Sequence, residues 1–434
     1  MTNAPEFQRR YRFSIEDLTR YSFLLLVFSC GFTQPYIYLF HKYVVPCSDL
    51  IFLVTFGIWA LGVLFRRIEF RWHKFYWVLA FYFGSMVIST IFSVDASVSI
   101  LKLPGETYLL ALCVMTFNLV RTEQNVKQAF YAWLAATTIC VLVGICSLLL
   151  FYVDPQNWLL LHTRYTFGTL PPGHYLRLQS TFVNGNTLCN YLSVGLMLLL
   201  TSFALVWVNK KAFILLLLGI MTCSLLTISP GLGGVALSLG LWIWFRNTGK
   251  RRAVSYAALS GGIAISIAFL FAVAISPNDQ PDPPFSVELP IIEKRLEPSA
   301  RGLVWIDSFR TLERNPLTGL GLGEDACYVQ YHAISGETHT LKDAHNMFLN
   351  VAAQQGIVGL AAIIMVSFYL VRMSFPTARD DTNRGILLAG LGIAFFSAFI
   401  YQGLGGSFED TRFLWVLMGL ILSVTELSAS GRSI

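Results

Sequence analysis

Apolar stretches long enough to cross a membrane follow one another along almost the whole of this 434-residue chain. A transmembrane helix needs about 20 mostly apolar residues. We place twelve such spans at 21–40, 46–65, 75–94, 107–120, 129–153, 187–208, 212–228, 231–245, 253–275, 347–371, 385–403 and 413–425. Charged residues make up only 13% of the chain, whereas soluble domains carry about 25%. The sequence therefore predicts an all-α polytopic membrane protein and excludes a string of soluble domains.

The basic residues between the spans indicate the orientation, because cytoplasmic loops of membrane proteins are enriched in Lys and Arg. With the N-terminus in the cytoplasm, 20 of the 31 basic residues but only 8 of the 25 acidic residues fall on the cytoplasmic side. Both termini are then expected to be cytoplasmic. Since the basic residues are dispersed between apolar spans, a nucleic-acid-binding surface is not expected.

Two extracytoplasmic segments are long, and one of them divides the chain. Residues 1–275 hold the first nine spans, with a segment of about thirty residues at 154–186. Residues 276–345 are seventy residues long, too many for a simple connector, and we expect them to form a loop domain. Residues 346–434 hold the last three spans.

The second half of the loop domain has recognisable local patterns. From Glu297 onwards the apolar residues have helical spacing, and Ser299 is placed to cap the helix. The following segment, Asn315 to Gly323, contains three glycines, which allow the backbone to approach a neighbouring part of the chain closely.

Three side chains at the outer ends of the spans are candidate site residues, since charge there is unfavourable unless paired or hydrated. Arg177 precedes the sixth span, Arg301 lies in the loop helix and His345 stands before the tenth span. Arginine offers a planar fork of donors that suits phosphate, and histidine titrates near neutrality. These groups would suit a lipid-linked diphosphate donor and an acceptor hydroxyl.

Simpler roles for two of these residues stay open. Arg177 would also serve as an anchor among lipid headgroups, and His345 as a helix cap or as the partner of a loop carbonyl. No HExxH or similar ligand spacing occurs, so no metal site is expected.

Four segments of the chain resemble the bacterial O-antigen ligase and polymerase superfamily. They are RLQSTFVNGNTLCNYL (177–192), ISPGLGGVALSLGLWIW (228–244), SARGLVWIDSFRTLERNPLTGLGLG (299–323) and AHNMFLNVAAQQGIVGL (344–360). Their order and spacing, and a long loop before the tenth span, agree with the superfamily. One departure concerns the superfamily's Ser-Arg-Gly segment, which reads Ser229-Pro230-Gly231 in this chain.

This resemblance implies a membrane glycosyltransferase of the GT-C-like type that needs no metal, nucleotide or other cofactor. The enzyme would work at the periplasmic face of the bacterial inner membrane, among membrane lipids. Its donor would be a polysaccharide on undecaprenyl diphosphate, and its acceptor a sugar hydroxyl of lipid A–core.

The resemblance also implies roles for individual residues. His345 would be the base, or the group that orients the acceptor hydroxyl, and Arg301 would hold the diphosphate. Pro230 stands where the superfamily has arginine, and we hypothesise that Arg177 supplies the missing positive charge. The supporting residues would be Asn346, Trp305 and Asn186.

Other functions fit the same patterns. An O-antigen or exopolysaccharide polymerase would use the same lipid-linked donor, and a protein O-oligosaccharyltransferase, whose chains usually extend further, would differ in its acceptor. Outside this class stands a transporter of lipid-linked substrates. Transporters usually show two similar halves and charged or broken helices at mid-membrane, whereas the candidate residues of this chain lie on one face. We therefore favour an O-antigen ligase.

Overall fold

The computed structural model describes residues 14–39, 43–164, 175–229, 231–246, 260–264, 267–268, 275–276, 287–289, 294–332, 338–375, 381–406 and 411–429. These ranges are mostly helical. The helices are α1 (Ile15–Ser29), α2 (Cys47–Leu64), α3 (Tyr76–Ile91), α4 (Ala96–Leu119), α5 (Glu123–Val153), α6 (Trp158–Thr163), α7 (Gly185–Ala204), α8 (Lys210–Leu226), α9 (Gly231–Arg246), α10 (Ala300–Arg314), α11 (Met347–Ser374), α12 (Asn383–Gly405) and α13 (Arg412–Ala429).

Six of the described helices, α2, α4, α5, α7, α11 and α12, are long and apolar enough to cross a membrane. Eleven of the twelve predicted spans overlap the helices named above, while the ninth, 253–275, is described only at 260–264, 267–268 and 275. This is the architecture of a helical membrane protein.

The prediction of the first span, 21–40, is wrong at its C-terminal end. Helix α1 ends at Ser29, and the chain continues into an antiparallel hairpin of β1 (Tyr36–Leu39) and β2 (Tyr43–Pro46). Pro35 has no amide N–H to continue a helix, and the aromatic and β-branched residues that follow it favour a strand. Apolar composition alone does not distinguish this hairpin from a membrane helix.

Helices α7 and α12 form the centre of the bundle and are buried along most of their length. Gly390 of α12 faces Thr201 of α7, and Gly195 of α7 faces Thr137 of α5. Small residues at such positions let membrane helices approach closely. These close contacts pack the middle and the C-terminal part of α7 against α5 and α12.

An ion pair joins three helices of the bundle. Arg412, at the start of α13, donates two hydrogen bonds to the Asp49 carboxylate of α2, at 2.5 and 2.8 Å. The Tyr108 hydroxyl of α4 donates to the same carboxylate at 3.0 Å. Both charged side chains are mostly buried, and a bidentate pair of this kind is geometrically specific. It therefore fixes the last helix against the first half of the bundle.

The loop domain combines helix α10 with short strands. Strand β5 (Lys294–Pro298) pairs with β3 (Ile275–Ser276) and β4 (Val287–Leu289), and β6 (Val329–His332) pairs with β7 (Thr338–Leu341). The helix begins at the predicted residue, since the Ser299 hydroxyl accepts a hydrogen bond from the Gly302 amide at 3.2 Å. The predicted cap is confirmed.

A small apolar core packs α10 against the segment that leads into α11. Val304, Cys327 and Ala344 are buried together, with Trp305 and Leu349 packed against them. Because Ala344 directly precedes His345, this core sets the position of α10 relative to the histidine.

The Gly-rich segment predicted at 315–323 lies against a break in α11. Gly319 has φ +69°, and Gly356, inside α11, has φ +67° and ψ −167°, which interrupts the helix. Both residues have positive φ, which glycine adopts far more readily than other residues. The sequence predicted that this segment approaches another part of the backbone closely. The structure shows that this other part is the break in α11.

Backbone hydrogen bonds join the two segments. The amide of Leu320 donates to the carbonyl of Ala353 at 2.9 Å, and the amide of Ile357 donates to the carbonyl of Pro316 at 2.8 Å. A break in a membrane helix leaves backbone groups without intrahelical partners, and these must be satisfied elsewhere. The turn satisfies them here, so the loop domain is fastened to α11 itself.

Candidate functional site

His345 occupies a sharp turn between β7 and α11. Its backbone has φ +46°, a conformation that costs a non-glycine residue on the order of 1 kcal/mol and is often found at functional sites. Its amide donates to Asp343 Oδ1 at 2.5 Å, and its Nδ1 lies 3.4 Å from the same oxygen. The side chain is 43% exposed, so a substrate can reach the imidazole.

Asn346, and not His345, caps α11. The Asn346 side chain accepts a hydrogen bond from the Leu349 amide at 3.2 Å, as N-cap residues do. The alternative role of His345 as a helix cap is therefore wrong. The supporting residue Asn346 has an identifiable task, which is to start α11 directly after the histidine.

Two further side chains hold the turn from either side. Asn350, one turn into α11, accepts from the Ala344 amide at 2.8 Å and donates to Asp343 Oδ2 at 2.7 Å. Trp305 of α10 donates from Nε1 to the Ala344 carbonyl at 3.0 Å. The supporting residue Trp305 thus contacts the backbone next to His345.

Arg301 lies close enough to His345 for its charge to act on the imidazole. Burial lowers the pKa of His345, the Asp343 carboxylate raises it, and the Arg301 guanidinium lowers it; the net shift is downward from the ordinary value of 6.5. Desolvation disfavours the charged imidazolium, and so does a nearby cation. Both effects favour the neutral imidazole, which is the form that can accept a proton.

A second polar cluster lies between the starts of α7 and α9 and the end of α12. The Ser229 hydroxyl is 3.0 Å from Asn186 Oδ1, 3.0 Å from the Tyr401 hydroxyl and 3.0 Å from the Gly231 amide, which donates to it. The charge of Arg301 also acts on Tyr401. The predicted supporting residue Asn186 is therefore connected to the same region as Arg301.

Arg177 lies beside the turn that follows α8. Its Nε donates to the Thr227 carbonyl at 3.4 Å, and the amide of Leu178 donates to the Leu226 carbonyl at 2.9 Å. Arg177 is half-buried and hydrogen-bonded to the protein backbone. A simple headgroup anchor would instead direct its guanidinium to the lipid headgroups. Pro230, three residues after Thr227, lies outside the described residues. That Arg177 replaces the charge missing at position 230 stays a prediction.

The structure thus places the predicted residues in two neighbouring groups. The first contains Arg301, Trp305, His345 and Asn346, and the second contains Asn186, with Arg177 at the adjoining turn. Sequence reasoning missed Asp343, Asn350, Ser229 and Tyr401 as parts of the site. The signals were weak, because Asp343 resembles a solvated loop residue and Tyr401 is far from Ser229 in sequence. Among the described residues, no group of three or more His, Cys, Asp or Glu side chains is placed to hold a metal ion.

Comparison with known proteins supports the resemblance found in the motifs. A family model described as O-antigen ligase matches residues 196–364. The matched range contains Arg301, Trp305, His345 and Asn346, whereas Arg177 and Asn186 lie before it. No curated protein sequence matches the chain. The family match confirms the resemblance to the O-antigen ligase superfamily.

Proposed function

We propose that this chain, with its resemblance to the O-antigen ligase superfamily, transfers O-antigen polysaccharide from undecaprenyl diphosphate to a sugar hydroxyl of lipid A–core. The reaction would take place at the periplasmic face of the bacterial inner membrane. The observation that carries the proposal is a reachable histidine that lies 3.4 Å from a carboxylate and within the influence of the Arg301 charge.

His345 would act as the general base. Its Nδ1 faces Asp343, which leaves Nε2 for the acceptor. In the transfer step Nε2 takes the proton of the acceptor hydroxyl, and the oxygen forms a bond to the anomeric carbon of the donor sugar. The bond from that carbon to the diphosphate oxygen breaks, and its electron pair leaves with undecaprenyl diphosphate. A positioned base of this kind contributes about 10²–10⁴-fold to the rate.

Arg301 and Arg177 would stabilise the charge that develops on the departing diphosphate. Fixed cations in a partly dry site stabilise such charge strongly, because they need no reorganisation during the reaction. The Ser299 cap holds the first turn of α10, and the hydrogen bond to Thr227 holds the guanidinium of Arg177. The diphosphate bond of the donor carries the driving force, so we propose a reaction without nucleotide or metal.

The test uses purified protein in nanodiscs with an undecaprenyl-diphosphate-linked glycan, with and without lipid A–core, and no added metal or nucleotide. We expect a glycan–lipid A–core product on a gel for the wild-type protein and none for His345→Ala. His162→Ala is the matched control, because His162 is an exposed residue of α6 and its loss should leave transfer unchanged.

The other outcomes identify the alternatives. A longer glycan on the carrier lipid in the absence of lipid A–core would indicate a polymerase, and the acceptor in the proposal would be wrong. Transfer by His345→Ala at the wild-type rate would remove His345 from the role of base.

A further inference from the structure

The Asp343 carboxylate, beside His345, accepts a hydrogen bond at each of its two oxygens. Asp343 Oδ1 accepts the His345 amide at 2.5 Å, and Asp343 Oδ2 accepts the Asn350 side chain at 2.7 Å. Asn350 also accepts the Ala344 amide at 2.8 Å. Each oxygen of the carboxylate is therefore bonded, and one of them lies 3.4 Å from the imidazole Nδ1.

These contacts maintain a backbone conformation that the chain would otherwise avoid. The left-handed turn at His345 persists only because the surrounding contacts stabilise it. Trp305 contributes a fourth contact through the Ala344 carbonyl. The result is an imidazole with its Nδ1 edge towards Asp343 and its other edge away from it.

We propose that Asp343, held in place by Asn350, is a positioning residue for His345. Asp343 orients the imidazole and stabilises the imidazolium formed during transfer. This inference rests on the proposed function, in which His345 accepts the hydroxyl proton. When Nε2 takes that proton, the ring becomes a cation whose Nδ1 lies at ion-pair distance from the carboxylate. A carboxylate that orients a catalytic histidine and stabilises its cation strongly increases the effectiveness of the base.

The charged groups that act on the imidazole are Asp343, from its own turn, and Arg301, from the helix packed against that turn. They act in opposite directions. Removal of the Asp343 charge leaves burial and Arg301 unopposed, so the pKa of His345 must fall. A purely structural role of Asp343 does not require such a change.

An exchange of the two side chains separates charge from geometry. In Asp343→Asn the Asn350 amide loses its acceptor, and the set of hydrogen bonds is broken. In the double variant Asp343→Asn/Asn350→Asp every contact can form again: the residue at 343 accepts the His345 amide and donates to position 350, which accepts the Ala344 amide. The negative charge then lies one hydrogen bond further from the imidazole.

The experiment measures transfer rates over pH 5–9 and, independently of activity, the pKa of His345 by NMR of protein labelled at histidine. Asp325→Asn is the control, because Asp325 is an exposed acid of the same domain that pairs with Lys342 at 2.7 Å. We expect both the single and the double variant to lower the pKa of His345, to move the acid limb of the kcat profile to lower pH, and to reduce kcat by about tenfold or more. The control should match the wild type.

Three results have distinct meanings. A double variant with the wild-type kcat, the wild-type acid limb and an unchanged His345 pKa would overturn the proposal, because the charge beside Nδ1 would then have no effect. A fall in the pKa and in kcat in a double variant that unfolds at the wild-type temperature would support it. If instead His345→Ala still transfers glycan, the proposed function fails, and the NMR result alone decides whether Asp343 controls the histidine.

Discussion

Replacement of Gly319 by alanine tests the junction between the loop domain and the break in α11. Gly319 has φ +69°, and a Cβ there would come closer than 3.0 Å to backbone atoms of both Gln354 and Gln355. The left-handed conformation costs a non-glycine residue about 1–2 kcal/mol. Overpacking against a neighbour that cannot move adds typically about 1–3 kcal/mol. We therefore expect Gly319→Ala to lower the free energy of unfolding by about 2–5 kcal/mol.

Gly57→Ala in α2 is the matched control, because a Cβ at that position would meet no atom within 4 Å beyond its chain neighbours and the backbone of its own helix. Alanine stabilises a helix interior by roughly 0.5–1 kcal/mol relative to glycine, so the control should change stability in the opposite direction. Unfolding by SDS in mixed micelles measures both variants. If Gly319→Ala were as stable as the wild type, the turn would not be tightly seated in the break, and the reasoning would be refuted.

Three further substitutions test separate parts of the molecule. Arg301→Lys keeps a charge but loses the planar fork, so the transfer rate should fall by about 10²-fold. The control is Arg310→Lys, at an exposed position of the same helix, which should keep the wild-type rate. If Arg301→Lys also kept the wild-type rate, the role of Arg301 would be structural. Arg177→Ala should reduce the transfer rate and leave the unfolding temperature close to that of the wild type; unchanged transfer would contradict its role beside Pro230. Arg412→Met removes two charge-assisted hydrogen bonds to Asp49 and leaves that carboxylate buried without its cation. It should lower the free energy of unfolding by about 3–5 kcal/mol, as SDS unfolding will measure; a change near zero would make the pair dispensable.

The sequence was sufficient where local patterns determine local structure. The apolar spans predicted helices because a membrane requires their backbone groups to be bonded internally. Ser299 was predicted as a cap because the short side chain and the apolar spacing after it mark a helix start. Arg301 and His345 were predicted in one site, and this stays a prediction; the charge of Arg301 does act on the imidazole.

Other features depend on contacts that no local pattern encodes. Asp343 becomes part of the site only because His345 adopts a left-handed turn that folds the carboxylate back on the histidine. The contact between Ser229 and Tyr401 joins two helices far apart in the chain. The break at Gly356 was not predicted, because an isolated glycine in an apolar helix is common and only the partner segment shows that the helix is interrupted there.

The central claim is that His345 accepts the proton of the acceptor hydroxyl, and the pH dependence of transfer tests it most directly. Burial and Arg301 lower the pKa of His345 despite Asp343, so half of the neutral base is lost only at a pH below the ordinary histidine value. We predict that kcat/KM for purified protein with undecaprenyl-diphosphate-linked glycan and lipid A–core declines on the acid side with a midpoint below the ordinary histidine value of about 6.5, with no transfer by His345→Ala at any pH. A His345→Ala variant that transfers glycan with the same acid limb as the wild type would contradict the account.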